Sequence, residues 1–260
     1  MEQKLSIAII TYNEESNIRR TLESVAWALE IIIVDSGSSD KTVQICREYT
    51  DKIFHQDWLG FACQKNLAID KTSGDWVLSL DADEPIEPEL VDEIKEIISS
   101  STSHDGYRIP RRTFFLGKEI KHGGWYPDYN LRLFRRGKGR FEERAVHEAI
   151  RVKGSVGKTR HAILHFAYPD LISYLSMMNK YTTLAVEVMS TQSISAFKIG
   201  WMNILFRPVL TFLYKFIFRL GFLDGKHGLV LNLFHAGYVF AKYAKAWERR
   251  ESKEYSKEKI

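Results

Sequence analysis

Cysteine is nearly absent from this chain: Cys46 and Cys63 are the only two in 260 residues. Two thiols cannot build a disulfide framework, and they all but exclude a zinc site made of thiolates. Six prolines and 16 glycines are too few for a collagen-like or low-complexity chain. A hydrophobic content of 45% is too high for a disordered one. The opening MEQKLSIAII has no basic stretch followed by a long apolar run. No signal peptide is therefore expected, and a reducing cytoplasm is the expected compartment. Zinc-finger, helix-turn-helix and RNP-type patterns are also missing, so nucleic acid is not expected as a partner despite a net charge of +4. The charge is unevenly placed. Residues 1–100 hold more carboxylates than cations, while residues 108–260 are basic, with a cluster at Arg132, Arg135, Arg136, Lys138 and Arg140. That split points to an anionic ligand or surface facing the second half.

Apolar runs and helical patterns alternate through the first hundred residues. Leu5–Ile10, Ile31–Val34 and Trp76–Leu80 are rich in branched side chains and read as strands, with a weaker one at Lys52–Phe54. Helices are predicted near Asn17–Trp27, after Asp40, and over Phe61–Lys71. Continuous apolar strands separated by helices predict an α/β fold whose mostly parallel sheet is covered on both faces. Ligands in such sheets bind beyond the carboxyl ends of the strands, so the polar turns after Ile10, Val34 and Leu80 share the edge where chemistry belongs. Residues 105–166 read as short strands extending the same sheet, so the catalytic domain is expected to span 1–167, divided near residue 100.

From Tyr168 onward the pattern is helical, giving a second region over 168–260. Within it, FKIGWMNILFRPVLTFLYKFIFRLGF has the aromatic and aliphatic content of a membrane helix. Lys198, Arg207, Lys215 and Arg219 interrupt it well before the roughly 18 uncharged residues that a span needs. Arg207, Lys215 and Arg219 fall near one helical face, and Leu210, Phe212, Leu213, Phe216, Ile217 and Leu220 lie opposite. Basic and bulky apolar faces predict a helix lying in a membrane interface through residues 197–240. The alternatives are a helical hairpin packed on its own domain or against a second copy in a homodimer, and true spanning.

Asp81-Ala82-Asp83 follows the strand Trp76–Leu80 directly. Two carboxylates at i and i+2 on a strand end suit Mg²⁺ or Mn²⁺, hard cations that take carboxylate and phosphate oxygens together. Thr11-Tyr12-Asn13-Glu14 offers a ring and hydrogen-bonding groups on the same edge. Asp35 ends the second strand and has two readings, an acceptor for a base N–H or the first residue of an Asx turn ahead of Ser36-Gly37.

The set I-T-Y-N-E-E, V-D-S-G-S-S-D-K-T, Gln64-Lys65-Asn66 and L-D-A-D-E resembles the family 2 glycosyltransferases over residues 4–100. W-Y-P-D-Y-N-L-R-L-F-R-R, F-E-E-R-A-V-H-E and I-L-H-F are similar to the lipopolysaccharide core β-1,4-glucosyltransferases of Gram-negative bacteria. The resemblance implies a GT-A fold and inverting transfer of a hexose, glucose by preference, from a UDP-sugar to a lipid-anchored saccharide. It also implies a divalent cation and a peripheral place on the inner face of the cytoplasmic membrane. Carried onto this chain, it implies that Thr11, Tyr12 and Glu14 line the nucleotide and Asp35 reads the uracil. Lys65 and Asp81 would lie near the diphosphate and ribose, Asp83 and His165 would ligate the metal, and Arg132 would neutralise phosphate beside Arg135. The general base is Asp128 or Glu148, since the family's acidic pair is incomplete here. A polyprenyl-phosphate acceptor, and a sugar-nucleotide-binding protein without turnover, stand as the other readings.

Overall fold

The computed structural model describes residues 4–100, 103–142, 149–191 and 200–257. Packing divides the chain into two compact units, Met1–Thr113 with Pro127–Ala167, and Phe114–Tyr126 with Tyr168–Ile260.

The first unit is built on a sheet whose central strands are β1 (Leu5–Thr11), β2 (Glu30–Asp35), β3 (Ile53–His55) and β4 (Trp76–Asp81). They run parallel in the order β4-β1-β2-β3. Three later strands extend the β4 side: β5 (Gly106–Phe115), β7 (Asp128–Arg135) and β10 (Val156–Lys158), in the order β10-β5-β7-β4. β7 is antiparallel to both β4 and β5. Because the period of a strand is two, alternate residues of the apolar runs serve opposite faces. Ile7, Ile9, Ile31, Ile33, Leu78 and Leu80 pack with Ile18 and Leu22 of α1 (Ile18–Val25) and Leu90 and Ile94 of α4 (Pro88–Ser99). Ala8, Val34 and Val77 pack on the other face with Ala62, Ala68 and Ile69 of α3 (Phe61–Asp70). Phe141 and Ile150, from the hairpin of β8 (Gly139–Glu142) and β9 (Ala149–Val152), close that second core. The doubly covered α/β sheet expected from the sequence is therefore present, with strand ends within a residue or two of those predicted in the first hundred residues.

Registers fix the functional edge. Thr11 sits opposite Asp35 and Ile10 opposite Asp81, so β1, β2 and β4 end together. β7 runs the other way, which brings its first residue, Asp128, to that same edge. At the opposite end, Glu30 is buried under Ser6, Ser73 and Lys52. Burial pushes its carboxyl pKa up, but the hydrogen bonds from Lys52, Ser6 and Ser73 outweigh this and bring it down to about 2. A depressed carboxylate contributes stability above its unfolded pKa, and that stability is lost as pH falls through the folded value. Glu30→Gln is expected to lower stability by about 1–3 kcal/mol at neutral pH. The deficit should shrink as denaturant melts are moved from pH 5 toward pH 2.

The second unit holds β6 (Lys118–Ile120), α5 (Leu171–Thr191), α6 (Arg207–Leu213) and α7 (Gly225–Lys257). Widened π turns flank α6 at Met202–Phe206 and Tyr214–Phe218. Its core gathers Phe115, Ile120, Tyr174 and Leu231. None of the described helices is long and apolar enough to cross a membrane. The expected basic face does not stand free. Arg207 donates to the Tyr243 hydroxyl, Lys215 donates to the Gly123 carbonyl at 3.2 Å, and the Arg219 guanidinium lies against Gly124. Arg207 and Arg219 are nonetheless exposed, among exposed apolar side chains led by Trp201 at 82% and Phe218 at 74%. The sequence pattern assumed one regular helix, whereas π turns flank α6, Arg207 reaches Tyr243 of α7 and Lys215 reaches Gly123.

Candidate active site

The Asp81–Glu84 turn is held from several sides. Thr21 of α1 donates its hydroxyl to the Ala82 carbonyl at 2.8 Å, and Ser24 Oγ accepts from Ile86 N at 3.1 Å. Glu84 is fully buried, and its Oε2 accepts from the Asp81 backbone N–H at 3.0 Å. β11 (Ile163–Tyr168) runs alongside, with Phe166 N donating to Asp83 O at 3.3 Å and Leu164 N to Pro85 O at 2.8 Å. This pairing is what carries His165 to Asp83. Their Nε2 and Oδ2 atoms are 3.4 Å apart, and both side chains are largely buried.

The two carboxylates of D-A-D have opposite electrostatics. Burial would push Asp81 up, but Lys65 at 2.7 Å and Arg132 at 2.9 Å overcome it and hold its pKa well below the usual carboxylate range. Asp83 forms no ion pair with Lys or Arg among the described residues. Burial, reinforced by the Asp81 charge, pushes it up to about 6. Burial, with help from Arg111, pulls His165 down to about 4, so its ring is neutral at neutral pH. A carboxylate awaiting a cation and a neutral imidazole beside it form a donor set that fits a divalent metal. Among the described residues no group of three His, Cys, Asp or Glu side chains is arranged to hold a metal. With a divalent cation bound, Asp83 and His165 would be its protein donors, and phosphate oxygens and water would supply the rest, as for cations that work with a phosphate substrate.

Arg132 and Arg135 do not act together as the sequence spacing suggested. Leu133 and Leu131 pair with the consecutive residues Tyr107 and Arg108, so Arg132 sits in a β-bulge where strict strand alternation does not apply. Arg132 is buried between Asp81 and Glu84, with 2.7 Å to Glu84 Oε1, while Arg135 lies over the Trp76 ring. Glu84 Oε1 also faces Arg111 at 3.5 Å, and Arg111 clamps Asp128 Oδ2 through Nε at 3.0 Å and Nη2 at 2.7 Å. An alternating network thus runs Lys65–Asp81–Arg132–Glu84–Arg111–Asp128. Hydrogen bonds among the described residues reach only Oδ2 of Asp128, whose side chain is 38% exposed, and Oδ1 is left open. Sequence reasoning missed Glu84 and Arg111. The fourth letter of D-A-D-E was the available signal for Glu84, whereas nothing in Pro110-Arg111-Arg112 marked Arg111. Glu84→Gln leaves the buried Arg132 and the half-buried Arg111 short of a counter-charge and is expected to cost on the order of 3 kcal/mol. Denaturant unfolding against wild type reads that loss directly.

The remaining sequence-predicted residues lie on the same edge. Thr11 is buried, and among the described residues its Oγ1 has no hydrogen-bond partner. The Tyr12 side chain is exposed. Glu14 accepts from Asn17 Nδ2 at 2.9 Å, and burial, with Asp83 and Asp81 adding, raises its pKa. Asp35 makes the Asx turn, accepting from Gly37 N and Ser38 N at 2.9 Å and from Ser38 Oγ at 2.5 Å. A cleft of about 440 Å³ opens beside Asp35 toward Arg47, Asp51 and His55, and none of Asp81, Asp83 or His165 lines it. Lys65 is buried against Asp81, with the Phe141 ring 5.2 Å from its ammonium. Glu148, the other candidate base, lies outside the described residues.

Fold and site together define an α/β protein with a carboxylate-rich, cation-ready centre at the carboxyl edge of its parallel strands. The Glycosyl transferase family 2 profile matches residues 6–153. The chain is 33% identical over 257 residues to the lipopolysaccharide core biosynthesis glycosyltransferase LpsC of Rhizobium meliloti, covering 96% of this chain and 94% of that one. It is 26% identical over 272 residues to the uncharacterized glycosyltransferase RC0292 of Rickettsia conorii, covering 100% and 94%. The chain therefore belongs to glycosyltransferase family 2. Among solved structures it is similar to S. aureus TarS 1-349 in complex with UDP-GlcNAc, at 16% identity and TM-score 0.49 over 92% of this chain and 81% of that one. It also matches glucosyl-3-phosphoglycerate synthase of Mycobacterium tuberculosis in complex with Mg²⁺ and UDP, at 20% identity and TM-score 0.36 over 44% of each chain.

Proposed function

We propose that this chain transfers a hexose, glucose by preference, with inversion from a UDP-sugar to a lipid-anchored saccharide of the lipopolysaccharide inner core. The observation that carries this reading is the network joining Asp81 to Asp128, with the Asp83–His165 pair beside it. Asp83 and His165 hold the divalent cation, Mg²⁺ or Mn²⁺, which supplies positive charge to the departing diphosphate. Asp81 and Lys65 border the ribose and diphosphate, while Thr11, Tyr12, Glu14 and Asp35 receive the nucleoside. Arg132 contributes its charge from behind Asp81 without leaving its ion pairs. Asp128 is the general base: Arg111 fixes Oδ2, and Oδ1 takes the acceptor hydroxyl proton as that oxygen attacks the anomeric carbon opposite UDP. Residues 1–100 act as the nucleotide half and 101–167 as the acceptor half.

Transfer to a lipid-anchored acceptor calls for a protein at the membrane surface. The exposed apolar side chains of residues 201–223 support peripheral docking on the inner face of the cytoplasmic membrane. UDP release from a panel of UDP-sugars, with and without Mn²⁺ and deacylated core oligosaccharide, tests the proposal. It predicts metal-dependent release with one sugar, stimulated by the oligosaccharide. Sugar recovered on polyprenyl phosphate instead would move the assignment to that acceptor, and binding without turnover would remove the enzymatic reading.

A further inference from the structure

Trp58 belongs to neither core of the first unit and is 50% exposed, with Leu59 beside it at 53%. An indole left in water forgoes one of the largest burial gains a side chain can make, yet the loop that carries it is firmly held. Gln56 N donates to Asp35 O at 2.9 Å. The fully buried Gln64 donates through Nε2 to the Gln56 carbonyl and to Ser36 Oγ, both at 2.9 Å. These bonds tie the loop to the turn that follows β2. The chain then enters α3 through Gly60, whose φ of 92° lies in the region that favours glycine. The Trp58 ring stands edge-on to Phe61, with centroids 4.7 Å apart. An edge-on neighbour covers at most one face of the indole. One turn along α3, Lys65 bonds Asp81 at 2.7 Å, and its ammonium is 6.0 Å from the Phe61 ring. The indole is thus anchored on one side to the Asp35 turn and on the other, through Phe61, to the Lys65–Asp81 pair.

The strand order β1-β2-β3 sets two exposed rings on either side of Asp35, Tyr12 after β1 and Trp58 after β3. Asp35 itself accepts three hydrogen bonds within its own turn, which leaves it little capacity to hold a base by polar contacts. A pyrimidine bound there must be gripped by its faces, and a planar π system stacks well on an indole. A pyranose also offers C–H groups to an aromatic face. The hexose, however, belongs toward Asp128, at the other end of the ion network from Lys65. The anchoring beside Asp35 therefore favours the base over the sugar.

We infer that Trp58 stacks on the base of the nucleotide donor, a contact separate from those of Thr11, Tyr12, Glu14 and Asp35, and that it selects for a planar base. This assignment rests on the nucleotide-donor reading above.

Calorimetric titration of the full chain in Mn²⁺ tests it with three probes: UDP, the 5′-diphosphate of 5,6-dihydrouridine, and inorganic pyrophosphate. Dihydrouracil keeps the hydrogen-bonding groups of uracil and loses its planarity, and pyrophosphate has no base. Wild type should bind UDP about tenfold or more tighter than the dihydro analogue. Trp58→Ala should weaken UDP binding by a similar factor, remove most of that preference and leave pyrophosphate binding unchanged. Trp58→Tyr should keep the preference. Equal wild-type affinity for the two nucleotides, or unchanged UDP binding in Trp58→Ala, overturns the inference and leaves the donor reading standing. Equal losses for all three probes do the same, marking Trp58 as a prop of its loop. Normal UDP binding with a raised KM for the oligosaccharide would assign the ring to the acceptor and likewise overturn it. Absence of UDP binding to wild type would fail the donor reading and the inference with it.

Discussion

Asp83→Ala is expected to lower metal-dependent transfer by about 10²–10³-fold, the scale of losing one preorganised partner of the developing charge, with a Tm equal to or above that of wild type. Both halves of this expectation come from the same local physics. Asp83 is a buried carboxylate beside a second one, and it forms no ion pair with Lys or Arg among the described residues. Its charge is unfavourable in the folded chain until a cation arrives, so deletion removes an internal repulsion along with a metal ligand. Asp81 would behave differently. It is tied to Lys65 and Arg132, so its loss takes a carboxylate away from two buried cations and destabilises the fold. Steady-state rates with saturating Mn²⁺, measured beside thermal melts, separate the two cases. Near-normal transfer by Asp83→Ala would remove Asp83 from the site.

Asp128→Asn is expected to cut kcat by roughly 10²–10⁴-fold, the usual contribution of a general base, while UDP binding stays within a few-fold of wild type. The amide keeps the size of the side chain and an oxygen for Arg111, but it cannot accept the hydroxyl proton. Glu148→Gln is the comparison. If Asp128 is the base, Glu148→Gln loses far less, and the two rates differ by a comparable factor. If neither variant loses more than a few-fold, both assignments fail. Arg111 makes the contrast interpretable because it fixes Asp128 from one side and links it to Glu84. The substitution thus removes basicity without releasing the strand end.

Much of the first unit was legible because its strands carry their own signature. Runs such as Glu30–Asp35, buried at every position, occur only where helices cover both faces of a sheet. Once those strands were placed, the carboxyl-edge rule put Thr11, Asp35 and Asp81 together, and the registers agree. His165 could be nominated only through family resemblance, because its approach to Asp83 depends on β11 pairing with residues 83–86. Glu84 and Arg111 belong to an ion network whose members come from four separate segments, and no local periodicity encodes such a meeting. The second unit was legible in composition but not in orientation. Arg207, Lys215 and Arg219 share a face only on a regular helix, and the turns at Met202–Phe206 and Tyr214–Phe218 break that regularity. Asn66 shows the converse: part of a family-like motif, it exchanges hydrogen bonds at 2.9 Å with the Phe141 backbone and pins the β8–β9 hairpin to α3.

The central claim is that Asp83 and His165 form the seat of a divalent cation that carries the donor's diphosphate. Calorimetric titration of UDP into the chain, with and without Mn²⁺, tests it most directly. Binding is expected to require Mn²⁺, to be lost in Asp83→Ala and to survive in Asp128→Asn. Since Asp83 takes up a proton below about pH 6 in the ligand-free chain, the Mn²⁺-dependent affinity should also fall as pH drops through that value. UDP binding of equal strength with and without metal, unchanged by Asp83→Ala, would contradict the account.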